Sequence, residues 1–372
     1  MRIGVDARLY GQAGVGRYIR NLLLNLQKID TQNEYFVFLI KNDFDSLVLS
    51  PNFHKVLSDY KWYSYAEQLN LPFRISKFNL NLVHFPHFNV PILYRRKFVV
   101  TIHDLIHQHF SLQRATTHGR LSYFVKQIGY KKAITHAVKK SCKVITISHY
   151  VKKEIEKNWH LPGGKIVVTK EAVEGELIKI ADTLTVQQIK AVRDKFKINS
   201  PYIYYVGNAH PHKNVEGLIK SYQKIKERIE GLQLVLSGYD HYFWRRIRNE
   251  YKDREIIYTG YVSDEEMVAL YKGAKVYVAS SFEEGFGIPI LEAMAAGCPV
   301  VSSSGGSLPE IGGSACIYFN PHNLSDMVEK ILSVLENNKL GEKLIRLGSS
   351  RYKEFSWEKM AKQTLEVYKQ CA

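Results

Sequence analysis

The stretch Glu283-Glu284-Gly285-Phe286-Gly287-Ile288-Pro289-Ile290-Leu291-Glu292-Ala293-Met294 directly follows an apolar run, Lys275–Ser280, that reads as a β-strand. Its two glycines permit an unusual backbone path, and Pro289 suits the first turn of a helix, where its missing N–H sacrifices no helical bond. The stretch therefore predicts strand, loop and helix in succession, the unit from which parallel sheets with helical crossovers are built. A helix starting at such a loop offers unpaired N–H groups and about half a positive charge, which suits a diphosphate or a sugar hydroxyl. Glu284 in the loop and Glu292 one turn into the helix are placed to accept hydrogen bonds from vicinal diols. The bland alternative is a solvated, structural pair of glutamates.

The same alternation recurs on either side of this unit. Strand-like runs at Arg2–Ala7, Glu34–Ile40, Leu82–Phe85, Phe98–His103 and Lys143–Ser148 accompany a helix over Val15–Gln27. A second series runs through Tyr202–Val206, Leu232–Ser237, Glu255–Gly260, Lys275–Ser280, Pro299–Ser302 and Cys316–Phe319. The restart predicts two α/β domains, 1–180 and 181–355, with a helix-containing linker over 174–200 and a helical pattern from Trp357 to Tyr368 in a closing segment, 356–372. With 372 residues, 45% of them hydrophobic, the chain is long enough for two cores.

Composition narrows the remaining classes. The longest apolar runs fall far short of the ~20 residues a membrane-spanning helix needs. The opening Met-Arg-Ile-Gly-Val-Asp goes straight into a strand and has no export signature, which leads us to expect a cytoplasmic protein. Cys142, Cys298, Cys316 and Cys371 lack C-x-x-C spacing, and reduced thiols are expected. Residues 1–180 hold 27 Lys+Arg against 13 Asp+Glu, a surplus of +14, whereas 181–372 hold 25 against 23. A basic first half attracts nucleic acid, an anionic membrane surface or a phosphorylated substrate. Lys126, Lys131, Lys132, Lys139, Lys140 and Lys143, with Tyr123, Phe124, Ile128, Ile134 and Val138 between them, read as an amphipathic helix. That helix either lies on an anionic bilayer or packs on its sheet with a solvated outer face.

In doubly wound sheets ligands bind where strands lead into helices. Three further segments meet that condition. Val206-Gly207-Asn208-Ala209-His210-Pro211-His212-Lys213-Asn214 puts Lys213 at a helix entrance, where an ammonium neutralises charge on a leaving diphosphate. Its plainer reading is an exposed lysine beside a cap. Thr101-Ile102-His103-Asp104 ends a strand with His103, whose roles are sugar contact or structural hydrogen bonding. Asp104, His107 and His109 suggest a local polar cluster, but no second ligand set supports a metal. Gly11-Gln12-Ala13-Gly14-Val15-Gly16-Arg17 opens the first helix as either a donor-covering loop through Gly14 and Gly16 or a packing turn. Asp43-Phe44-Asp45 matches a D-x-D metal signature but reads as a solvated turn, so no metal cofactor is expected.

With those residues in hand, the sequence resembles the retaining glycosyltransferases of family 4. The resemblance spans nearly the whole chain, most specifically in Glu284, Glu292 and the following Ala293-Met294-Ala295-Ala296-Gly297-Cys298-Pro299-Val300-Val301. It implies a GT-B fold: two Rossmann-like, doubly wound parallel-sheet domains facing a cleft, with the C-terminal helix crossing back to the first. It assigns Glu284 to the donor sugar, Glu292 to the nucleotide ribose, His103 to the sugar near the reacting carbon, and Lys213 to the diphosphate. Asn208 stands where many members have arginine. Gly285, Phe286, Gly287 and Ile288 line the donor loop, and Tyr261 and Val262 border the base. The implied mechanism is attack by the acceptor hydroxyl on the face the diphosphate leaves, the leaving phosphate taking the proton.

The opening Gly-Val-Asp-Ala-Arg, Gly-Val-Gly-Arg-Tyr and Gly-Phe-Gly-Ile-Pro look most like bacterial mannosyltransferases of surface-polysaccharide assembly, which implies GDP-mannose as donor and a saccharide or lipid-linked saccharide as acceptor. Peripheral contact with the inner face of the membrane is compatible with this. A sugar-nucleotide 2-epimerase and a phosphorylase share the fold; the first should lack the E-x7-E element and the second needs a longer chain. A non-catalytic nucleic-acid binder is motivated by the +16 charge but has no recognised module. A pseudoenzyme partner is suggested by Asn208.

Overall fold

The computed structural model describes residues 1–106 and 120–372. The chain divides into two compact units, one holding Met1–Leu105, residues 120–171 and Ser356–Ala372, the other Ala172–Phe355. The sequence reading set the boundary near residue 180. The 174–200 segment forms two helices, Gly175–Thr183 and Val186–Lys195, which pack on the helix Asp264–Gly273 of the second unit.

The first unit is built on a seven-stranded parallel sheet of β1 (Arg2–Asp6), β2 (Glu34–Leu39), β3 (Phe53–Leu57), β4 (Leu82–Phe85), β5 (Phe98–Ile102), β6 (Val144–Thr146) and β7 (Ile166–Val168), in the order β3-β2-β1-β4-β5-β6-β7. The central strands are apolar on both faces, as a sheet covered on both sides requires. One face packs Phe38, Val83, Phe98 and Val100 against Leu71 and Ile75 of the helix Tyr65–Ser76, and against Ile134 and Val138 of the helix Arg120–Lys140. The helix Gly14–Ile29 packs with the C-terminal helix Trp357–Cys371, which crosses back to this unit. Two edge strands, β3 and β7, were absent from the sequence reading.

The second unit repeats the plan with six parallel strands: β8 (Tyr202–Val206), β9 (Gln233–Ser237), β10 (Ile256–Gly260), β11 (Val276–Ala279), β12 (Val300–Ser303) and β13 (Cys316–Phe319), in the order β10-β9-β8-β11-β12-β13. In each sheet the strand order reverses beside its first strand, β1 or β8. Loops after β8 and β11 therefore emerge together at the carboxyl edge of the second sheet, the position at which such folds bind ligands.

Two expectations are corrected here. Cys142 and Cys371 form a disulfide, where reduced thiols were expected. The partners lie 229 residues apart and meet because the C-terminal helix returns to the first unit. Asp43-Phe44-Asp45 lies in a short helix, Lys41–Ser46, and is not a solvated turn. Asp45 pairs with Lys41 at 2.7 Å, while the Asp43 carboxyl accepts the Gly11 N–H and is pushed up by burial. No helix among the described residues is long and apolar enough to cross a membrane.

Candidate active site

The helix announced by the opening motif runs over Ile288–Ala295 with Gly287 as its N-cap. Gly287 has φ +100°, a left-handed conformation that favours glycine, and a Cβ there would lie 2.5 Å from Leu308 Cδ2. Pro289 sits in the first turn and no side chain caps the terminus. Phe286 is buried edge-on against Phe355, which leaves its backbone as the part that can meet a ligand.

Lys213 and Glu284 meet at the loop that leads into this helix. Lys213 closes the 3-10 turn Pro211–Lys213, and Asn214, at φ +54°, turns the chain into the helix Val215–Lys226. The Lys213 ammonium donates to Glu284 Oε1 at 2.6 Å, and Ser281 Oγ donates to the same oxygen at 2.5 Å. The backbones are fastened as well: Phe282 N–H donates to the His212 carbonyl at 2.7 Å, and Ser280 Oγ to the Lys213 carbonyl at 2.8 Å. Burial pushes the Glu284 carboxyl up, but the Lys213 charge and the hydrogen bonds from Lys213 and Ser281, with His212 nearby, hold it below the usual carboxylate range. Glu284 is thus an oriented anion with an ammonium beside it.

The loop after β12 supports this arrangement and was missed in the sequence. Ser307 donates its N–H and its Oγ to the Glu284 carbonyl, both at 3.0 Å, and its Oγ also reaches the Phe286 carbonyl at 2.9 Å. A Cβ on Gly306, at φ +62°, would lie 2.4 Å from the Glu284 carbonyl oxygen; one on Gly305 would lie 2.2 Å from that of Phe282. The Gly-Gly pair directly after a strand was the available signal.

The other sequence-predicted residues are placed less uniformly. Glu292 is buried and accepts from the Tyr271 hydroxyl at 3.2 Å, which also reaches the Pro289 carbonyl, so the two glutamates have distinct surroundings. The exposed Asn208 accepts the His210 N–H at 3.3 Å and receives the Tyr205 hydroxyl on its carbonyl at 2.8 Å, shaping its own loop. Tyr261 is exposed and Val262 buried, directly after β10.

His103, Gly14 and Gly16 belong to the first unit. His103 Nε2 donates to the Pro86 carbonyl at 2.9 Å and Nδ1 faces Glu171 Oε1 at 3.5 Å. Burial lowers its pKa, but Glu171, the Pro86 carbonyl and Asp104 outweigh this and raise it. Both ring nitrogens are therefore engaged within the unit, and Glu171 is a partner the sequence did not suggest. Gly16 is required by packing, since a Cβ would fall 2.5 Å from the Tyr10 carbonyl, whereas Gly14 borders open space. His107 and His109 lie outside the described residues, as do the side chains of Tyr123, Phe124 and Lys126. Ile134 and Val138 are buried in the core, with Lys131, Lys132, Lys139 and Lys140 exposed, so the described part of that helix packs on its sheet.

Comparison with known proteins follows the same division. Residues 188–351 match the glycosyl transferases group 1, and residues 13–174 match glycosyltransferase family 4. O-antigen chain mannosyltransferase B of Escherichia coli is 32% identical over 296 residues, 77% of this chain and 74% of that protein. The serotype-specific mannosyltransferase WbdA of Escherichia coli is 26% identical over 239 residues, 60% of this chain but only 28% of that protein. A sucrose-phosphate synthase from Thermosynechococcus elongatus shares the fold, with a TM-score of 0.75 at 19% identity over 100% of this chain and 98% of that one.

Proposed function

The chain belongs to glycosyltransferase family 4, and from that premise we propose that it transfers mannose from GDP-mannose to a hydroxyl of a saccharide or lipid-linked saccharide, with retention of configuration and without a metal ion. The observation that carries this reading is the Lys213–Glu284–Ser281 cluster set before the uncapped helix at Ile288. A carboxylate held ionised accepts hydrogen bonds from sugar hydroxyls, and an ammonium beside it faces the charge that grows as the sugar–phosphate bond breaks. Surface-polysaccharide assembly and a mannosyl donor are supported by the names of the relatives, O-antigen chain mannosyltransferase B and serotype-specific mannosyltransferase WbdA.

In the proposed reaction the bond from the anomeric carbon to the diphosphate oxygen breaks and one to the acceptor oxygen forms on the same face. The acceptor proton passes to the departing phosphate, so no separate general base is required. Lys213 and the backbone amides of Gly287 and Ile288 stabilise the leaving diphosphate, Glu284 and Glu292 hold sugar and ribose, and His103 is proposed to contact the sugar. The test is a panel of nucleotide sugars with EDTA present, read by donor hydrolysis and thermal shift in the wild type and in Glu284→Ala. Hydrolysis of GDP-mannose that survives EDTA and disappears in the variant is expected, and the anomeric configuration of the product then reports retention. Stabilisation by no donor, together with steeply salt-dependent nucleic-acid binding, overturns the reading.

A further inference from the structure

The loops at the carboxyl edge of the second sheet, residues 207–214, 238–241, 261–263, 280–287, 304–307 and 320–323, hold one lysine, no arginine and four histidines, in a chain with 52 Lys+Arg. They also hold three carboxylates, Asp240, Glu283 and Glu284. The lysine, Lys213, is paired with Glu284 at 2.6 Å, so that pair brings no net charge. Asp240 is held by Arg245 and Arg248 of the following helix, and Arg246 of the same helix is held by Glu216. A diphosphate esterified at both ends carries one negative charge on each phosphate, and the uncapped helix at Ile288 answers only about half of one. The further cations that the loops of this unit have to offer are imidazoles.

Three of the four histidines form a file. The rings of His212 and His210 stack with centroids 5.9 Å apart, and His210 stacks in turn on His241 at 5.4 Å. The fourth, His322, stacks on Phe282 at 4.9 Å, and the Phe282 N–H is the group that bonds the His212 carbonyl at 2.7 Å. The ends of the file differ in chemistry. His241 Nδ1 accepts the Phe243 N–H at 3.2 Å, and burial lowers its pKa against the pull of Asp240, so His241 is held neutral. Its ring offers a protonated neighbour an aromatic face. His212 stands at the other end, half-buried beside Lys213 in the same 3-10 turn, and its charge acts on Glu284. A dianion bound by Lys213 favours the charged form of an adjacent imidazole, whose ordinary pKa of about 6.5 leaves it mostly neutral at pH 7 and above. We propose that His212 is the second cation of the diphosphate site and becomes one by taking up a proton as the diphosphate binds, so that donor binding consumes protons. This rests on the donor reading above and adds to it a pH dependence that Lys213 does not confer, since an ammonium stays charged across the neutral range.

The test is isothermal titration calorimetry of the full chain with GDP-mannose and, in parallel, UDP-glucose, in pairs of buffers of unlike ionisation heat between about pH 6 and pH 8. Neither ligand has a phosphate that titrates in that range, so protons taken up belong to the protein. The wild type should take up part of a proton near neutrality, and its Kd should rise by up to roughly tenfold per pH unit above about 6.5. His212→Gln should bind without proton uptake, with a Kd that is flat across the range and weaker than wild type at the acid end. His212→Arg, a fixed charge in the same place, should also take up none, and should bind at the alkaline end about as tightly as the wild type does at the acid end. His322→Gln, which removes the histidine outside the file, should bind and take up protons as the wild type does. Thermal midpoints of the unliganded variants separate lost binding from lost folding. Binding without proton uptake, or uptake that survives in His212→Gln, overturns this inference and leaves the donor reading standing. Binding of neither nucleotide sugar overturns both.

Discussion

Replacing Lys213 by alanine separates its chemical role from its structural one. The ammonium contacts Glu284 at 2.6 Å, with side-chain exposures of 21% and 16%, so the pair is shielded but not fully desolvated. Removing one partner of such a pair costs about 1–3 kcal/mol, because the carboxylate is left with Ser281 as its strong donor. For a unit of this size that is a fall in Tm of roughly 2–10 °C. The rate should fall further, by about 10²–10³ in kcat, the size of effect seen when one donor to a developing anion is removed. Adding Glu284→Gln relieves the buried charge, so Lys213→Ala/Glu284→Gln should melt above Lys213→Ala while its rate stays low. The pH dependence has a definite sign. The Glu284 pKa is depressed in the folded state, so the pair's contribution is complete above the unfolded value of about 4.3 and disappears as pH falls through the folded value. The Tm gap between wild type and Lys213→Ala should therefore be full at neutral pH and close in acid. Calorimetry across pH and nucleoside diphosphate release, with the donor the wild type accepts, measure both quantities. A Lys213→Ala enzyme within about threefold of wild-type kcat but with a lowered Tm would refute the transition-state role and leave Lys213 as a strut for Glu284.

Other perturbations read neighbouring parts of the structure. Gly306→Ala places a methyl 2.4 Å from the Glu284 carbonyl oxygen at φ +62°, so it should destabilise by about 2–4 kcal/mol and weaken donor binding; Gly14→Ala, with nothing within 4 Å, should do neither in thermal-shift titrations. Glu171→Gln removes the main support of the raised His103 pKa, whose stabilisation is complete below the unfolded value of about 6.5 and lost as pH rises through the folded value. The variant should therefore lose stability mainly at the acid side of that window, with an NMR titration of His103 moving downward. Cys142→Ser should lower Tm by an amount set by up to about 5 kcal/mol for a 229-residue loop, and a reductant should reproduce that loss in the wild type while leaving the variant unchanged.

The loop and helix start of the candidate site in the second unit were legible because they rest on local backbone chemistry. A glycine with φ +100° at an N-cap and a proline in the first turn are visible in Gly287-Ile288-Pro289 without knowledge of any distant partner. The direct bond from Lys213 to Glu284 was not, since it spans 71 residues and depends on β8 and β11 lying side by side. The disulfide was hidden for the same reason, at greater separation. Strands β3 and β7 escaped notice on other grounds: they are short edges, and β3 exposes His54 and Lys55, which blunts its pattern as edge strands require.

The basic, apolar-studded segments of the first unit show a different limit. Periodicity locates an apolar face but says nothing about what covers it. Ile134 and Val138 recur with helical spacing among lysines, a pattern equally suited to a bilayer and to a sheet, and the sheet takes them. The helix Tyr65–Ser76 has the opposite history. Leu71 and Ile75 face the core while Tyr65, Leu69 and Phe73 face water, so its apolar residues lie on two sides, and Pro72 interrupts the helical signal. Such a sequence gives no clean moment and was assigned no element. An apolar row left over after the core is filled becomes visible only once the core is known, which is why the exposed row of Tyr65, Leu69 and Phe73 had to be read from the structure.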